Sequence, residues 1–317
     1  MSELAIIIVN WNGGELLQRC LTSLEQFPPS VPYEVVVVDN ASTDGSREWL
    51  ESHAAGLRLI KNNDNVGFGQ ANNSAFKETK EPLLFLLNSD AEVLAGTVDT
   101  LIATIKSDSR FGVVGPRLHN ADGTLQASVW RNPMTPFETL ANAFRLYKLM
   151  PKKLRGDLLL GYHWDHTHSR SASLLSGAAL MVRREVINEV GGFDERFHMY
   201  GEDTEWCLRI VRGGWLMMFE PKAIVVHHGG GSATKRWTDL EKRREVYISF
   251  FRFQRLSLSR SLAIANLIAG CLASSTQLLW RFLGRQPRDE ARMVLSLYMN
   301  ELKQTMGSSL RRRHSHD

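Results

Sequence analysis

Residues 83–90 read Leu83-Leu84-Phe85-Leu86-Leu87-Asn88-Ser89-Asp90. Five consecutive apolar residues that end in a polar pair and a carboxylate predict a short strand buried on both faces, as in a parallel sheet. Residues just beyond the carboxyl end of such a strand lie where open α/β sheets bind their ligands. We therefore expect Asp90 at the mouth of a crevice, as a candidate ligand of a divalent metal ion.

The same pattern occurs three times before this strand. Strand-like segments at residues 4–9, 33–38 and 57–60 are each followed by polar turn residues and then by a helical pattern. This repetition predicts βαβ units, and so a parallel sheet with helices on both faces. Asn, Asp and Gly are common in any turn. Four polar turns at the ligand-binding edge of one sheet nevertheless favour a functional site over turn composition alone.

The first turn, Asn10-Trp11-Asn12-Gly13-Gly14, argues against two common kinds of nucleotide site. It does not supply the G-x-G-x-x-G pattern of dinucleotide binding, and the chain contains no lysine-bearing phosphate loop. We expect a nucleotide to be held by side chains and a metal ion rather than by a glycine cradle.

Residues from about 116 to 173 have no regular pattern and are predicted to form an irregular insertion. The spacing of His163, His166 and His168 within it fits no standard metal site, so we expect these histidines in a solvated loop.

A predicted helix near residues 202–212 carries a candidate catalytic group. Asp203 shares a helix face with Cys207 and Ile210, so its carboxylate should point inward, where it needs a partner. Glu202 is explained by the preference for acidic residues in a first helical turn. Further along, His227 and His228 end an apolar run; they are either metal or phosphate ligands or surface histidines, and this segment leaves both open.

Composition and charge suggest where the protein works. The chain is 43% hydrophobic and 23% charged, as in ordinary globular proteins. Its three cysteines form neither a metal-spaced pair nor a disulfide framework, which fits a reducing cytoplasm. From Lys235 onward about 16 Lys and Arg stand against about 7 Asp and Glu, whereas the preceding chain is acidic. A basic end predicts contact with an anionic surface.

The nature of that surface is indicated by residues 244–280. Arginines interleave with Tyr and Phe up to residue 255, a pattern typical of a helix that lies in a membrane interface. Residues 261–280 carry no charge and are long enough to cross a bilayer, but Asn, Ser, Thr and Gln dilute them. In-plane membrane attachment is favoured, core packing and a true span remain alternatives, and anionic lipid is favoured over nucleic acid.

Seven motifs occur in order along residues 4–235. They are Val9-Asn10-Trp11-Asn12, Asp39-Asn40-Ala41-Ser42-Thr43-Asp44, Asn65-Val66-Gly67-Phe68, Asn88-Ser89-Asp90, Gly191-Gly192-Phe193-Asp194, Gly201-Glu202-Asp203-Thr204-Glu205-Trp206 and His227-His228-Gly229-Gly230-Gly231-Ser232. Together they resemble the family 2 glycosyltransferases with the GT-A fold, particularly the bacterial rhamnosyltransferase-like branch.

The resemblance implies an inverting transfer from a nucleoside-diphosphate sugar, with dTDP-rhamnose the favoured donor and Mg²⁺ or Mn²⁺ the cofactor. It implies that Asp203 is the catalytic base, with Glu202 as a fallback. Asp90 matches the last position of the family's D-x-D metal motif, whose first position here is Asn88. The chain therefore offers one carboxylate there rather than two.

The remaining roles also follow from the resemblance. Asp39 is expected to contact the base and the Asn10 region the nucleoside, while His227 or His228 assists at the metal or diphosphate. The expected nucleotide-sugar site comprises Val9, Asn10, Trp11, Asn12, Asp39, Asn40, Asn65, Gly67, Phe68, Asn72, Asn88, Ser89 and Asp90. The expected metal ligands are Asp90, His227 and His228.

We expect an α/β protein in three parts. Residues 1–115 form the Rossmann-like nucleotide-sugar-binding half of a GT-A domain, 116–235 the mixed, acceptor-binding and catalytic half, and 236–317 a basic helical region. The expected acceptor is a lipid-linked or polysaccharide glycan of the bacterial cell surface, reached from the cytoplasmic face of the plasma membrane. A homo-oligomer is left open.

Three alternatives remain. The same fold could use a UDP-hexose or a GDP-sugar donor. A sugar-1-phosphate nucleotidyltransferase has a related sheet, but it needs basic residues in the first glycine-containing turn, and residues 10–14 have none. A non-catalytic carbohydrate-binding or scaffolding protein would not require Asp203.

Overall fold

The fold was analysed in a computed structural model. It describes residues 2–53, 56–130, 135–151, 156, 160–229 and 238–313. The strands are β1 (Leu4–Asn10), β2 (Tyr33–Asp39), β3 (Leu57–Lys61), β4 (Leu83–Asn88), β5 (Ala91–Val93), β6 (Phe111–His119), β7 (Leu125–Gln126), β8 (Val129–Trp130), β9 (Arg170–Ala172), β10 (Leu174–Leu175), β11 (Ala179–Arg183) and β12 (Leu216–His227).

The helices alternate with the strands in the first half of the chain and follow one another at the end. They are α1 (Gly14–Gln26), α2 (Ser46–Ser52), α3 (Phe68–Glu78), α4 (Thr97–Ser107), α5 (Pro136–Ala143), α6 (Arg184–Val190), α7 (Glu202–Arg212), α8 (Asp239–Ser257), α9 (Arg260–Leu283) and α10 (Asp289–Arg313).

Most strands join one mixed sheet in the order β3-β2-β1-β4-β11-β6-β12-β5. Strands β1 to β4 are mutually parallel, as the repeated strand–turn–helix pattern predicts. β11 then runs antiparallel between β4 and β6, and β5 runs antiparallel to β12 at the other edge. The sheet is therefore parallel in its first half and mixed in its second, which confirms the expected fold class.

The central strands are buried on both faces. In β4, Leu83, Phe85 and Leu87 pack on one side of the sheet with α1 and α4, and Leu84 and Leu86 pack on the other with α3 and α7. Burial of each such side chain contributes about 1.5–3 kcal/mol. This strand therefore holds Asn88, Ser89 and Asp90 on a rigid support.

Strand β6 extends beyond the expected boundary at residue 115. Its residues Arg117, Leu118 and His119 pair with Ile224, Val225 and Val226 of β12, across a break in register that follows Pro116. Proline has no backbone N–H to donate to a neighbouring strand, so within a sheet it occurs mainly at such irregularities or at an edge. The expected irregular insertion therefore begins with a regular strand, and the 115/116 boundary falls inside the sheet.

The chain divides into two compact units: residues 1–131 with 158–236, and residues 132–157 with 237–317. The first unit contains the expected first half and most of the expected second half, but residues 132–157 of the second half belong to the second unit. The expected boundary between 235 and 236 lies in the segment 230–237, outside the described residues.

The second unit is helical. In it α5 packs on α9, and α9 and α8 pack on α10, around a core of Phe251, Leu267, Val294 and Tyr298. A capping box of Thr238 and Glu241 starts α8. Of the described helices, α9 is long and apolar enough to cross a membrane, with a mean hydropathy of 1.6, a test that a core helix also passes.

Candidate active site at the carboxyl edge of the sheet

The ends of β4 and β12 meet at one edge of the sheet. After Asp90 the chain turns into β5, which pairs antiparallel with the end of β12 and sets Ala91 opposite His227. This pairing places Nε2 of His227 3.2 Å from Oδ1 of Asp90 and 3.3 Å from Nδ2 of Asn88. Of the two candidate histidines, His227 is therefore the one whose ring lies beside Asp90.

The neighbouring His228 has different contacts. Its Nε2 lies 2.6 Å from Oε1 of Glu92, which also pairs with Arg19 at 3.0 Å. Its backbone N–H donates to the carbonyl of Asp90 at 2.9 Å. The structure therefore brings the His228 ring to Glu92 rather than to Asp90, because successive residues point to opposite sides of an extended chain.

The atoms around Asp90 fit a hard divalent cation. A carboxylate oxygen and an imidazole nitrogen converge there, and the Oδ1 atom of Asn88 is buried without a hydrogen-bond partner in the described structure. No group of three or more His, Cys, Asp or Glu suited to a metal occurs among the described residues. Mg²⁺ commonly takes one or two protein ligands and completes its shell with substrate phosphates and water, so a small protein ligand set suits a diphosphate-bound ion.

Asp203 is connected to the same edge by two hydrogen bonds in succession, one to its own carboxylate and one between the backbones of Ala178 and Asn88. Its Oδ2 accepts from the N–H of Gly177 at 3.3 Å, and the next carbonyl, that of Ala178, accepts from the N–H of Asn88 at 2.9 Å. Because β11 pairs with β4 directly after these residues, the carboxylate of α7 is linked to the end of β4. The sequence predicted that Asp203 points inward, and the structure supplies its partner.

Glu202 and Asp203 lie in unlike environments. Burial, followed by the charge of Asp203, raises the pKa of Glu202 to about 8, and its Oε2 atom is buried without a hydrogen-bond partner among the described residues. Burial also raises the pKa of Asp203, against hydrogen bonds from Gly177 and Thr204 that favour its ionised form. Hydrogen bonds to the charged form make Asp203 the better candidate for a carboxylate base at neutral pH.

The end of β2 is tied to the end of β1 by a buried polar network. Asp39 is fully buried; its Oδ2 accepts from Nδ2 of Asn10 at 3.0 Å and its Oδ1 accepts from Nε of Arg47 at 2.6 Å. The Asn10 amide also donates to the hydroxyls of Ser42 and Ser46. Arg47 keeps about a quarter of its side chain exposed, so it is the member of the network that lies nearest to solvent.

A second network joins the ends of β2 and β3 to α3. Asn40 donates from Nδ2 to Oδ1 of Asn65 and accepts at Oδ1 from Asn62 and from the N–H of Val66. Gly67 has a positive φ of 90°, and a Cβ there would collide with the backbone of His198. Gly67 is therefore required both for its conformation and for the close approach of residue 198.

The other expected donor-site residues take varied positions. Asn72 is buried and donates to the carbonyl of Phe68 in its own helix, whereas Oδ1 of Asn12 accepts from the N–H of Thr43 at 2.7 Å. Ser89 is buried; Val9 and Trp11 are half-buried. The described contacts of Asn72 lie within the protein.

The histidine-rich segment is not uniformly solvated. His166 is fully buried, its Nδ1 lies 2.9 Å from the carbonyl of Trp164, and its ring packs on Trp164 and Phe219. Burial lowers the pKa of His166. The expectation of a solvated loop is wrong for this residue, because aromatic packing that spacing alone does not reveal encloses it.

Four contacts were not anticipated from the sequence: Arg47 at Asp39, Glu92 at His228, Gly177 at Asp203, and Gln126, whose Oε1 lies 2.7 Å from Nδ1 of His227. Each joins residues from different segments of the chain, so no local pattern indicates it.

Two family models match this chain. That of "Glycosyl transferase family 2" covers residues 5–191, and that of "Glycosyl transferase family group 2" covers residues 153–299. The chain is 28% identical over 251 residues to an N-acetylglucosaminyl-diphospho-decaprenol L-rhamnosyltransferase of Mycobacterium tuberculosis, covering 71% of this chain and 76% of the relative. It is also 28% identical over 216 residues to the low-salt glycan biosynthesis hexosyltransferase Agl10 of Haloferax volcanii, covering 67% of this chain and 62% of that protein.

Solved structures show the same fold at low sequence identity. GalNAc-T7 with UDP, GalNAc and Mn²⁺ has a TM-score of 0.58 at 18% identity, covering 100% of this chain and 58% of the other. The mannosyltransferase PcManGT of Pyrobaculum calidifontis, in complex with GDP-Man and Mn²⁺, has a TM-score of 0.53 at 18% identity. The match covers 98% of this chain and 87% of the mannosyltransferase.

The first family model spans more than half of the chain and includes the ends of β1, β2 and β4 that form the edge described above. Together with the GT-A fold of the structural neighbours, this confirms the resemblance found in the seven motifs. The chain belongs to glycosyl transferase family 2 and is a glycosyltransferase.

Proposed function

We propose that this enzyme transfers a hexosyl group, with inversion, from a nucleoside-diphosphate sugar to a lipid-linked or polysaccharide acceptor in cell-surface glycan biosynthesis. The favoured donor is dTDP-rhamnose. Similarity to a mycobacterial protein named as a rhamnosyltransferase of a diphospho-decaprenol acceptor supports both choices. UDP-hexose and GDP-sugar donors are the alternatives, since the GT-A neighbours hold UDP and GDP-Man.

One observation carries the proposal. The hydrogen bonds from Gly177 to Asp203 and from Asn88 to Ala178 put a carboxylate of α7 and the end of β4 at one edge of the sheet. Displacement at an anomeric carbon needs a base for the acceptor hydroxyl on one side and stabilisation of the departing diphosphate on the other. Asp203 suits the first task and the Asp90 region the second.

Asp203 acts as the general base in this mechanism. Its raised pKa makes the ionised carboxylate a stronger proton acceptor, and the N–H groups of Gly177 and Thr204 hold the two oxygens in place. Oδ2 takes the proton of the acceptor hydroxyl as the oxygen attacks the anomeric carbon. A single attack opposite the leaving group inverts the configuration. Glu202 is uncharged near neutral pH, so it adds no second negative charge beside Asp203.

Asp90 and His227 are the residues that would hold Mg²⁺ or Mn²⁺, with the amide oxygen of Asn88 beside them. When bound, the cation neutralises negative charge on the departing diphosphate. Because Asn88 stands where the D-x-D motif has its first Asp, this metal site has one carboxylate ligand fewer than that motif provides. His228 is omitted from this proposal because its ring pairs with Glu92.

The nucleoside is assigned to the region of Asn10, Trp11, Asp39 and Asn65. The buried bonds of Asp39 to Asn10 and Arg47 fix the ends of β1 and β2, which form the floor of this region. We keep the predicted contact of Asp39 with the base. We add Arg47 as a candidate hydrogen-bond donor to the base.

The helical unit is assigned to an anionic membrane surface on the cytoplasmic side. Toward the end of α9, Leu279, Trp280, Phe282 and Leu283 are each more than half exposed. Arg288 stacks on the ring of Phe282 at 5.3 Å. Exposed aromatic and aliphatic side chains beside arginines are typical of helices that lie in a membrane interface, where a lipid-linked acceptor would be found.

A panel of nucleotide sugars tests the donor assignment. Thermal unfolding and product formation are measured with dTDP-rhamnose, UDP-glucose, UDP-GlcNAc and GDP-mannose, with and without Mn²⁺. We expect dTDP-rhamnose with Mn²⁺ to raise the melting temperature most. Stabilisation by a different nucleotide sugar alone would assign that compound as the donor instead of dTDP-rhamnose. Stabilisation by none of the four would contradict the proposed donor site.

A further inference from the structure

The sheet brings Gln126 to the imidazole of His227. β7 pairs with β6 so that Gln126 is opposite Leu118, and Leu118 is opposite Val225 of β12. Paired residues share a face of the sheet, and so do residues two apart on one strand. Gln126, Val225 and His227 therefore lie on one face, and Oε1 of Gln126 is 2.7 Å from Nδ1 of His227.

A carboxylate fixes the direction of the hydrogen bonds behind Gln126. Bonds from Thr124 hold the pKa of Asp122 below its usual range, so this carboxylate accepts only. The Thr124 hydroxyl donates to it at 2.6 Å and in turn accepts from Nδ2 of Asn120 at 2.9 Å. The amide oxygen of Asn120 is then left to accept from Nε2 of Gln126, also at 2.9 Å.

The backbone gives the same orientation independently. Nε2 of Gln126 lies 3.5 Å from the carbonyl oxygen of His227. A carbonyl cannot donate, so the atom of Gln126 that faces it must be the amide nitrogen. The other atom, Oε1, is therefore the one that faces the ring of His227.

An amide oxygen accepts only, so Nδ1 of His227 must carry a proton. In the neutral ring this leaves the lone pair on Nε2. That nitrogen is the atom that lies 3.2 Å from Oδ1 of Asp90, and it accepts from Nδ2 of Asn88 at 3.3 Å. The Asn88 amide is consistent with a bare Nε2, whereas the Asp90 carboxylate oxygen would repel a bare lone pair at 3.2 Å unless a proton or a metal ion lies between the two atoms.

We infer that Gln126 is a positioning residue that fixes the tautomer and ring orientation of His227, so that the Nε2 lone pair points to the place where a cation would share Asp90. This inference rests on the metal site of the proposed function. It assigns a role to the turn at residues 120–126, which none of the seven motifs includes.

The test compares two substitutions at one position. Gln126→Met keeps the length of the side chain and removes the acceptor, whereas Gln126→Glu keeps an acceptor for Nδ1–H. Gln26→Met, at the exposed end of α1, is the matched control. Circular dichroism establishes that each variant is folded.

The first readout is the ¹⁵N–¹H correlation spectrum of histidine-labelled, metal-free protein, with the His227 signals identified by their loss in His227→Asn. We expect a proton on Nδ1 of His227 in the wild type and in Gln126→Glu, and its loss from part of the population in Gln126→Met. An Nε2–H tautomer in the wild type, or an unchanged spectrum in Gln126→Met, would overturn the inference.

The second readout is the dissociation constant of Mn²⁺, measured by electron paramagnetic resonance without donor. Loss of an outer partner of a metal-bound histidine typically weakens binding about 10–100-fold. We expect that loss in Gln126→Met, recovery of most of the affinity in Gln126→Glu, and no change in Gln26→Met. Equal affinity in all variants would contradict the role of Gln126. If the wild type binds no Mn²⁺, the metal assignment of the proposed function fails, and the tautomer spectrum still decides whether Gln126 orients His227.

Discussion

The carboxylate of Asp203 accepts a hydrogen bond from the backbone N–H of Gly177 at 3.3 Å. Gly177 lies in the short connection between β10 and β11, and the residue after it bonds to Asn88. A Cβ at position 177 would lie 3.3 Å from Cβ of Asp203, closer than most side chains tolerate. The absence of a side chain at Gly177 therefore lets α7 approach the edge of the sheet that carries Asp90.

The two adjacent histidines should respond differently to substitution. His227→Ala removes the imidazole that lies beside the Asp90 carboxylate at the proposed metal site. We therefore expect Mn²⁺ affinity to fall by at least about tenfold. His228→Ala removes a contact with Glu92 and should leave Mn²⁺ affinity almost unchanged. Isothermal titration with Mn²⁺ measures both. Equal losses in the two variants would contradict the assignment of His227.

Glu202 should make the stability of the protein depend on pH. Its pKa is about 4.5 when unfolded and about 8 in the fold, so between these values the folded state retains a proton that the unfolded state has lost. Stability should therefore fall as pH rises through this window, by at most about 1.4 kcal/mol per pH unit from this group, and level off above it.

The Glu202→Gln variant tests this linkage. Its melting temperature relative to the wild type should rise progressively from pH 5 to pH 8, because glutamine has no proton to lose. Glu48→Gln, at an exposed position on α2, should show no such trend. A constant difference between Glu202→Gln and wild type across this range would mean that Glu202 ionises normally.

Arg47 should matter more to stability than an arginine in an exposed pair. Arg47→Met leaves one oxygen of the fully buried Asp39 without its charged partner, which we expect to cost about 1–3 kcal/mol. Arg58→Met breaks the exposed pair with Glu78 and should cost less than about 1 kcal/mol. Urea unfolding of both variants provides the comparison, and equal costs would refute the importance of the buried network.

Exposed side chains of α9 should control binding to lipid. Trp280→Glu places a charge on a side chain that is 71% exposed, and we expect it to reduce sedimentation with vesicles that contain anionic lipid. Leu216→Glu, at the start of β12 and 37% exposed, is the control and should bind as the wild type does. If neither variant differs from the wild type, α9 is not the membrane contact.

The sequence predicted much of the fold because its signals are local. Strands β1 and β4 are continuous apolar runs, and every strand of the parallel half ends at a polar turn. The edge that carries Asn10, Asp39 and Asp90 could therefore be derived without coordinates. Asp203 was also identifiable, since its helical spacing from Cys207 and Ile210 places it on the packed face.

What the sequence did not predict depends on contacts between distant segments. The contact of Asp90 with the ring of His227 rather than His228 follows from the register of β12 with β5, and the contact of Gln126 with His227 follows from a hairpin that folds back along β6. Residue 126 is separated from residue 227 by 101 positions, so no spacing rule connects them. The start of the irregular insertion, expected at about residue 116, was wrong because β6 continues past Pro116 across a break in its register with β12.

The most direct test of the central claim measures transfer by Asp203→Asn, with Asp108→Asn, at the opposite end of the sheet, as control. Donor turnover is followed by mass spectrometry, and donor binding by titration of the same preparations. General base catalysis contributes about 10²–10⁴-fold, so we expect transfer by Asp203→Asn to fall by that factor while donor affinity and Asp108→Asn activity stay at wild-type values. Transfer by Asp203→Asn at the wild-type rate would contradict the assignment of Asp203 as the base.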